Sequence, residues 1–192
     1  MQIAASFNRL HADHIALFER SRPLLAPAAA LAEAAISVLK SGGKLLLAGN
    51  GGSAADSQHI ATELTVRFET TRRGLAAIAL TTDTSAITAV ANDLGFDRIF
   101  ARQVEALGRP GDMFLGITTS ARSPNVIEAL RVARANGLRT ACLTGRDGGT
   151  IAAEGLADHC LVVPSDVTAR IQEMHIFLGH LVCAAVDGAF TE

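Results

Sequence analysis

The stretch "LLLAGNGGSAADSQHIATEL", residues 45–64, decides the fold that we expect for this chain. Its first residues are apolar or small without a polar alternation, which is typical of a strand covered on both faces. Gly51 and Gly52 then predict a tight turn, and Ser53 is a good N-cap for the helix that follows. A buried strand, a turn and a helix in this order predict one unit of a parallel α/β sheet.

The same order recurs four more times along the chain. Apolar runs predict strands over "LAAIAL" (75–80), "DMFLGIT" (112–118), "RTACLTG" (139–145) and "DHCLVVP" (158–164), with helical patterns between them and a long closing helix over 166–188. Two helices precede the first strand, over 1–22 and about 28–40. We therefore predict an α/β fold: a single-domain αβα sandwich over 1–192, flavodoxin-like, with a parallel sheet of about five strands and an N-terminal helical segment 1–40.

The composition narrows the class of protein. A chain of 192 residues with 49% hydrophobic residues suits one domain with a sizeable core. The net charge of −2 and the absence of Trp and Tyr argue against a nucleic-acid surface. We expect no membrane span and no secretion signal, and therefore a cytoplasmic protein. The three widely spaced cysteines are predicted to be buried thiols rather than disulfides or metal ligands.

Every predicted strand is followed by a small polar loop. These loops read "GNGGS", "TTDTS", "TTSARS", "TGRDGG" and "PSDVT" in chain order. Ligands of open parallel sheets bind beyond the carboxyl ends of the strands. The sequence therefore predicts a small-molecule site at this edge of the sheet.

Two of these loops have the chemistry of a phosphate site. In "GNGGS" (49–53) the glycines let backbone N–H groups approach a ligand closely, and the helix N-terminus favours an anion. In "TTSARS" (118–123) four hydroxyls precede a helix that starts at Pro124. Each loop alone is also explained by a tight turn or a helix cap. Their adjacent positions at the edge of the sheet favour the phosphate hypothesis. Neither loop matches a dinucleotide or nucleoside-triphosphate motif.

Histidines and carboxylates on two helices are candidates for chemistry. His59 and Glu63 lie four residues apart and hence on one face of a helix, which suits half of a divalent-metal site or an ordinary exposed pair. On the last helix the candidates are Gln172, His175 and His180. His175 stands in an apolar stretch, which favours a structural histidine.

Taken together, the motifs resemble a known family. "GNGGSAADSQHIATEL", "ALTTDTSAITAVANDLGFDRIFARQVEALGRPGD", "ITTSARSPNV", "LTGRDGG" and "VPSDVTARIQEMH" are similar to the phosphoheptose isomerases of the sugar-isomerase (SIS) domain superfamily, over about residues 43–187. The resemblance implies a SIS fold and the isomerisation of sedoheptulose 7-phosphate to D-glycero-D-manno-heptose 7-phosphate, for lipopolysaccharide or another surface glycan. It also implies one Zn²⁺ per subunit and a homotetramer.

The resemblance assigns residues as follows. The metal ligands fall on His59, Glu63, Gln172 and His180, and the catalytic base and acid fall on Glu63 and His180. The sugar-phosphate contacts fall on Asn50, Gly51, Gly52, Glu63, Asn92, Asp93, Thr118, Thr119, Ser120, Ser123 and Gln172, and the cap interpretation adds Ser53. For Asn92 and Asp93 a simple helix stop is the alternative.

Two positions and one stretch depart from the family pattern. Thr118 stands where Ser is usual, which keeps the hydroxyl. Ala121 stands where Gly is usual, and because alanine disfavours the backbone angles open to glycine we expect a slightly altered loop. The stretch "TRRGLAA" (71–77) replaces one that contains proline, and we expect it to form an exterior connection.

The spacing on the last helix predicts a shared site. Gln172 and His180 lie eight residues apart, about 12 Å along a helix, which is near the limit for binding one ion. We therefore expect a neighbouring subunit to contribute side chains, and the apolar "AAALAEAAISVL" fits either helix packing between subunits or ordinary burial.

Two rival functions remain at this point. The DnaA initiator-associating proteins share the fold and the "ARIQEMH" motif but act as binding modules. Glu63 and His180, which that branch lacks, favour an enzyme here. The second rival is an isomerase of another phosphosugar.

Overall fold

The computed structural model describes residues 2–191 and shows a five-stranded parallel sheet between two layers of helices. The strands are β1 Leu45–Gly49, β2 Ala77–Ala79, β3 Met113–Ile117, β4 Arg139–Gly145 and β5 His159–Val163. Their order in the sheet is β2-β1-β3-β4-β5, which is the flavodoxin-like order. The predicted αβα sandwich with about five parallel strands is confirmed.

Eight α-helices surround the sheet in the described residues. They are α1 Gln2–Arg20, α2 Leu25–Lys40, α3 Gly52–Thr65, α4 Thr84–Asp93, α5 Ala101–Leu107, α6 Pro124–Ala135, α7 Gly149–Ala153 and α8 Thr168–Phe190. Met1, with which we began the first predicted helix, lies outside the described residues.

Two helix predictions need correction. Ser53 is not the N-cap of α3: the cap is Gly51, with φ of +58° and no side-chain hydrogen bond, so Ser53 is the second residue of the helix and is buried. The left-handed backbone at Gly51 already makes the turn that a capping hydroxyl would support. The pattern "FDRIFARQVEALG" (96–108) predicts one helix that closes at Gly108. The structure instead divides this stretch into a 3₁₀ turn (Phe96–Arg98) and α5, with Ile99 and Phe100 buried between them.

The sheet separates two apolar cores. Alternate residues of each strand face opposite sides, so Leu45 and Leu47 pack with α2, α3 and α8, whereas Leu46 packs with α5 and α6. This arrangement presses α3 and α8 against one face of the sheet and against each other. The residues that follow Gly51 and those of the last helix are thereby brought side by side.

Two segments, Arg22–Lys40 and Thr168–Phe190, are long and apolar enough to cross a membrane by length and composition. In the fold some of their apolar residues are core residues: Leu31 and Ala35 of α2 and Leu178 of α8 are buried in the same cluster, whereas Leu25 is 45% exposed. Burial in the αβα sandwich therefore accounts for part of their apolar character.

The cysteines and one ion pair complete the description. Cys142 and Cys183 are buried thiols, as predicted, whereas Cys160, which we also expected to be buried, is half-buried; all three are free. At the amino-terminal edge of the sheet, the buried Asp112 accepts hydrogen bonds from Lys44 Nζ at 2.5 Å and from the backbone N–H of Lys44 at 2.9 Å. This pair ties the starts of β1 and β3 together.

Candidate active site

The loops after β1 and β3 lie next to each other because these strands pair, with Gly49 opposite Ile117. A reciprocal amide pair joins the loops: Asn50 Nδ2 donates to Asn125 Oδ1 and Asn125 Nδ2 donates to Asn50 Oδ1, both at 2.9 Å. Asn125 is buried and was missed in the sequence. The only signal for it was an amide in the first turn of the helix that follows the hydroxyl-rich loop.

The hydroxyl-rich loop closes on itself. Thr118 Oγ1 and Ser123 Oγ share a hydrogen bond of 2.9 Å, and Thr118 is buried. Ser120 Oγ accepts a hydrogen bond from the backbone N–H of Arg122, and Thr119 and Ser120 are partly exposed. Ser123 is partly exposed as well, so the accessible hydroxyl-bearing residues of this loop are Thr119, Ser120 and Ser123.

Ala121 adopts a left-handed backbone in this loop, with φ of +51°, although we expected alanine to disfavour it. Its methyl group is buried in the apolar core on the α5 and α6 side. The loop thus keeps a conformation that glycine favours, and a buried methyl group offsets part of the cost, about 1–2 kcal/mol for an L-residue in this region.

The glycine turn after β1 lies against the last helix. A Cβ atom at Gly52 would collide with the side-chain amide of Gln172. Gly51 is exposed, and the first turn of α3 contains no acidic residue, which leaves this helix start favourable for an anion. The structure therefore places Gln172 beside the predicted phosphate-binding turn.

His59, Glu63 and His180 form one group further along α3 and α8. His59 Nε2 lies 3.2 Å from Glu63 Oε1 and 2.9 Å from His180 Nε2, and one ligand atom from each residue lies within 4.8 Å of the others. The ring of Phe68 packs on His180 with centroids 5.3 Å apart. Glu63 is half-buried and His59 is exposed.

This donor set fits a divalent metal ion. Two imidazole nitrogens and one carboxylate oxygen converge, which is the ligand chemistry of zinc sites that keep a position open for a substrate. Three of the four predicted ligands are thus brought together.

Gln172 of the same chain lies apart from this group. Gly52 contacts Gln172, and His59, seven residues later, contacts His180, so α3 and α8 run side by side in the same direction. The two contacts are separated by about 10–12 Å along the helices. Within one chain, Gln172 therefore lies beside the glycine turn and not beside the histidine–glutamate group.

Asp56 is a polar residue of α3 that the sequence analysis did not single out. It follows Gly52 by four residues and precedes His59 by three, so it shares their helix face. Its Oδ2 atom is buried without a hydrogen-bond partner among the described residues. Burial raises the pKa of Asp56 to about 6, and His59 acts in the opposite direction.

His175 has the structural role predicted for it. It is fully buried, and its Nε2 donates a hydrogen bond of 3.1 Å to the carbonyl oxygen of Thr144. Burial lowers the pKa of His175 to about 4, and the bond to Thr144 opposes that shift. The imidazole is therefore neutral near pH 7.

Asn92 and Asp93 end α4, where both are exposed. Asn92 Nδ2 donates to Asp93 Oδ1 at 2.7 Å. Between residues 2 and 191, no hydrogen bond joins this pair to the glycine turn or to the hydroxyl-rich loop. The structure thus leaves these two predicted contacts at the surface of the chain.

Comparison with known proteins identifies the class that this fold and this group of residues define. A family model described as a SIS domain matches residues 11–145. A phosphoheptose isomerase from Paramagnetospirillum magneticum is 59% identical over 157 residues, which are 82% of this chain and 81% of that protein. One from Campylobacter jejuni is 50% identical over 178 residues, 93% of this chain and 95% of that protein.

Solved structures agree with the sequence relatives. The phosphoheptose isomerase of Neisseria gonorrhoeae superposes with a TM-score of 0.88 at 47% identity, covering 97% of each chain. That of Francisella tularensis gives a TM-score of 0.93 at 39% identity, covering 98% of this chain and all of the other. The chain belongs to the phosphoheptose isomerase family, and it is an isomerase. A non-catalytic binding module is not favoured.

Proposed function

We propose that this enzyme interconverts sedoheptulose 7-phosphate and D-glycero-D-manno-heptose 7-phosphate. The observation that supports this proposal is the group formed by His59, Glu63 and His180, in which one carboxylate oxygen and two imidazole nitrogens lie within 4.8 Å of one another. A carboxylate and an imidazole at this separation suit a base and a proton carrier that act on adjacent atoms of one substrate. The names of the relatives support the class of substrate. The product would enter the synthesis of lipopolysaccharide or another surface glycan.

The reaction moves one proton between adjacent carbons and needs no redox cofactor. The Glu63 carboxylate takes the proton from C1 of the ketose while O2 is protonated, which gives the enediol, and the proton on Glu63 then returns to C2 while O1 gives up its proton, which gives the aldose. The His180 imidazole carries a proton between the two oxygens, because an imidazole has one nitrogen that can donate a proton and one that can accept it.

The residues that would hold a metal are His59, Glu63 and His180, and Gln172 is the fourth ligand in the proposal. Zn²⁺ is the ion that this donor set suits. When bound, a divalent ion polarises the substrate carbonyl and stabilises negative charge on its oxygen.

The phosphate is proposed to bind at the two loops joined by the asparagine pair. Asn50, Gly51, Gly52 and Ser53 line the glycine turn, and Thr118, Thr119, Ser120 and Ser123 form the hydroxyl-rich loop. A phosphate held there fixes the reacting carbons relative to the base, which is the usual contribution of a remote anchor.

We also propose that the active site is completed between subunits of a homotetramer. In one chain the glycine turn and Glu63 are separated by about 16 Å along α3, and Gln172 lies beside that turn. Among the described residues, no hydrogen bond joins Asn92 or Asp93 to the histidine–glutamate group. The outer helix α1 leaves Ile3 and Phe7 exposed, at 72% and 67%. An amphipathic helix with an uncovered apolar face is suited to packing against a second copy.

A cytoplasmic location, without a membrane or nucleic-acid partner, is part of the proposal. The three free thiols fit a reducing compartment. An isomerase of a shorter phosphosugar is the alternative within the same chemistry. Turnover measured in parallel with five-, six- and seven-carbon ketose phosphates distinguishes the two, and the proposal requires the seven-carbon substrate to have the highest kcat/KM.

The assignment of the residues is tested by kinetics with purified protein. Glu63→Gln and His180→Ala are each expected to lower kcat with sedoheptulose 7-phosphate by about 10²–10⁴-fold, the usual effect of removing a general acid or base. Matched controls are Glu154→Gln and His159→Ala, which change the same residue types outside the site. Wild-type turnover in both site variants would reject the assignment.

A further inference from the structure

The side chain of Arg72 is fully buried, although its segment was expected to be an exterior connection. It lies between α3 and β2. Its Nη2 donates to the carbonyl oxygen of Glu63 at 2.8 Å, and its Nη1 donates to that of Leu64 at 2.9 Å. Its Nε donates to Asp187 Oδ1 at 2.7 Å. The guanidinium therefore joins the main chain at Glu63 to the last helix.

The place of these bonds on α3 matters because the helix ends at Thr65. The last four carbonyls of a helix have no intrahelical partner, and an end without partners frays. Glu63 and Leu64 lie in this last turn. A cation at the carboxyl end of a helix also interacts favourably with the helix dipole. Arg72 thus caps the turn that carries the proposed base.

Asp187 holds the guanidinium in place. Its other oxygen, Oδ2, accepts hydrogen bonds from the backbone N–H groups of Glu69 and Thr70, both at 2.9 Å. The Asp187 side chain is 4% exposed. Asp187 lies in the same helix as His180, two turns further on. One buried ion pair therefore fixes the ends of both helices that carry the proposed base and the proposed proton carrier.

We propose that Arg72, held by Asp187, is a positioning residue that fixes the backbone of Glu63 for proton transfer. The inference rests on the proposed role of Glu63 as the base. Arg72 acts through main-chain carbonyls and does not contact the substrate. A small displacement of a base relative to its carbon costs up to about a hundredfold in rate, whereas it leaves the phosphate anchor unchanged.

The test uses Arg72→Lys and Asp187→Asn in the full-length enzyme with sedoheptulose 7-phosphate deuterated at C1. Lysine keeps the charge but cannot reach both carbonyls and Asp187 at once. We expect kcat to fall at least tenfold, KM to stay within about threefold, and the primary deuterium isotope effect on kcat to rise, because proton transfer becomes more rate-limiting.

The control separates positioning from stability. Asp112→Asn changes another ion pair with a buried carboxylate, that with Lys44, at the amino-terminal edge of the sheet. A reduced folded fraction lowers the apparent kcat but changes neither KM nor the isotope effect. We expect Asp112→Asn to lower the unfolding midpoint and to keep the wild-type isotope effect.

The outcomes are distinct. A wild-type isotope effect in both Arg72→Lys and Asp187→Asn, or a loss of turnover that only follows the folded fraction, would overturn the positioning role. Activity of Glu63→Gln, measured alongside, would instead reject the role of Glu63 as the base.

Discussion

At the scale of single residues, the group of His59, Glu63 and His180 shows what spacing alone can and cannot predict. The distance of four residues between His59 and Glu63 predicted that they share a helix face, and the structure pairs them. Only the resemblance assigned His180, because its approach to His59 depends on how α8 packs on α3. Arg72 and Asp187 were missed for the same reason: they are 115 residues apart and meet only in the fold.

The buried His175 makes a prediction about pH. Its pKa is about 4 in the folded protein against 6.5 for the free group, so the unfolded chain binds more protons between these values. Stability from this residue is therefore complete above pH 6.5 and is lost as the pH falls towards 4, by up to about 3 kcal/mol at 1.36 kcal/mol per pH unit.

The measurement compares urea unfolding of wild type and His175→Gln at pH 7.5 and 4.5. Glutamine keeps an amide donor for the Thr144 carbonyl and does not titrate. We expect the stability advantage of the wild type to shrink at pH 4.5. Asp56, whose raised pKa acts in the opposite direction, is present in both proteins and cancels in the difference. An advantage of equal size at both pH values would contradict the assignment.

At the scale of elements, apolar runs were sufficient to predict the five strands. The inner strands β1, β3 and β4 are buried on both faces and must be apolar on both. The edge strands β2 and β5 are partly exposed but still consist mostly of apolar residues. The start of α3 was predicted with the wrong cap, since a serine is a good cap by composition whereas the left-handed Gly51 makes the turn in the structure. The prediction of one continuous helix over 96–108 was wrong, because the structure contains two shorter helical segments there. Its helical pattern gave no sign that Ile99 and Phe100 would be buried between two shorter segments.

The asparagine pair between the two loops makes a prediction at this scale. Asn125→Ala leaves the side-chain NH₂ group and the side-chain carbonyl oxygen of Asn50 without their partners. We expect a loss of about 1–3 kcal/mol in the free energy of unfolding and a KM for the sugar phosphate raised about tenfold, because the loops lose their link. Enzyme kinetics and urea unfolding measure the two effects.

A double-mutant cycle provides the control for this pair. Asn50→Ala and Asn125→Ala should be strongly non-additive, since either change breaks the same two hydrogen bonds. Asn136→Ala, at the end of α6, changes the same residue type outside the loops and should leave KM unchanged. Additive effects of Asn50→Ala and Asn125→Ala would show that the amide pair does not couple the two loops.

At the scale of the whole molecule, the sequence predicted the architecture and the class of chemistry, but one chain contains the predicted site only in part. The histidine–glutamate group is assembled, whereas Gln172 contacts Gly52 instead. Asn92 and Asp93 stay at the surface. The roles of Gln172, Asn92 and Asp93 in the site remain predictions, because a site shared between subunits depends on contacts that a single chain does not contain.

The exposed apolar face of α1 makes a prediction about the proposed homotetramer: a charge on this face should cause the subunits to dissociate. Phe7→Asp places a charge where we expect a subunit contact, and it should reduce the molecular mass in solution measured by light scattering. Turnover should fall with the mass if the site is shared. Asn8→Asp, on the neighbouring exposed position, adds the same charge and should leave both unchanged. A fully active Phe7→Asp monomer would contradict a shared site.

The most direct measurement of the central claim, that Glu63 moves a carbon-bound proton, is solvent exchange followed by NMR. In D₂O the wild-type enzyme is expected to introduce deuterium at C1 of sedoheptulose 7-phosphate, because the proton held by the base exchanges with solvent before it returns. Glu63→Gln, folded and able to bind the sugar phosphate, should introduce none. Exchange by Glu63→Gln at the wild-type rate would contradict the account.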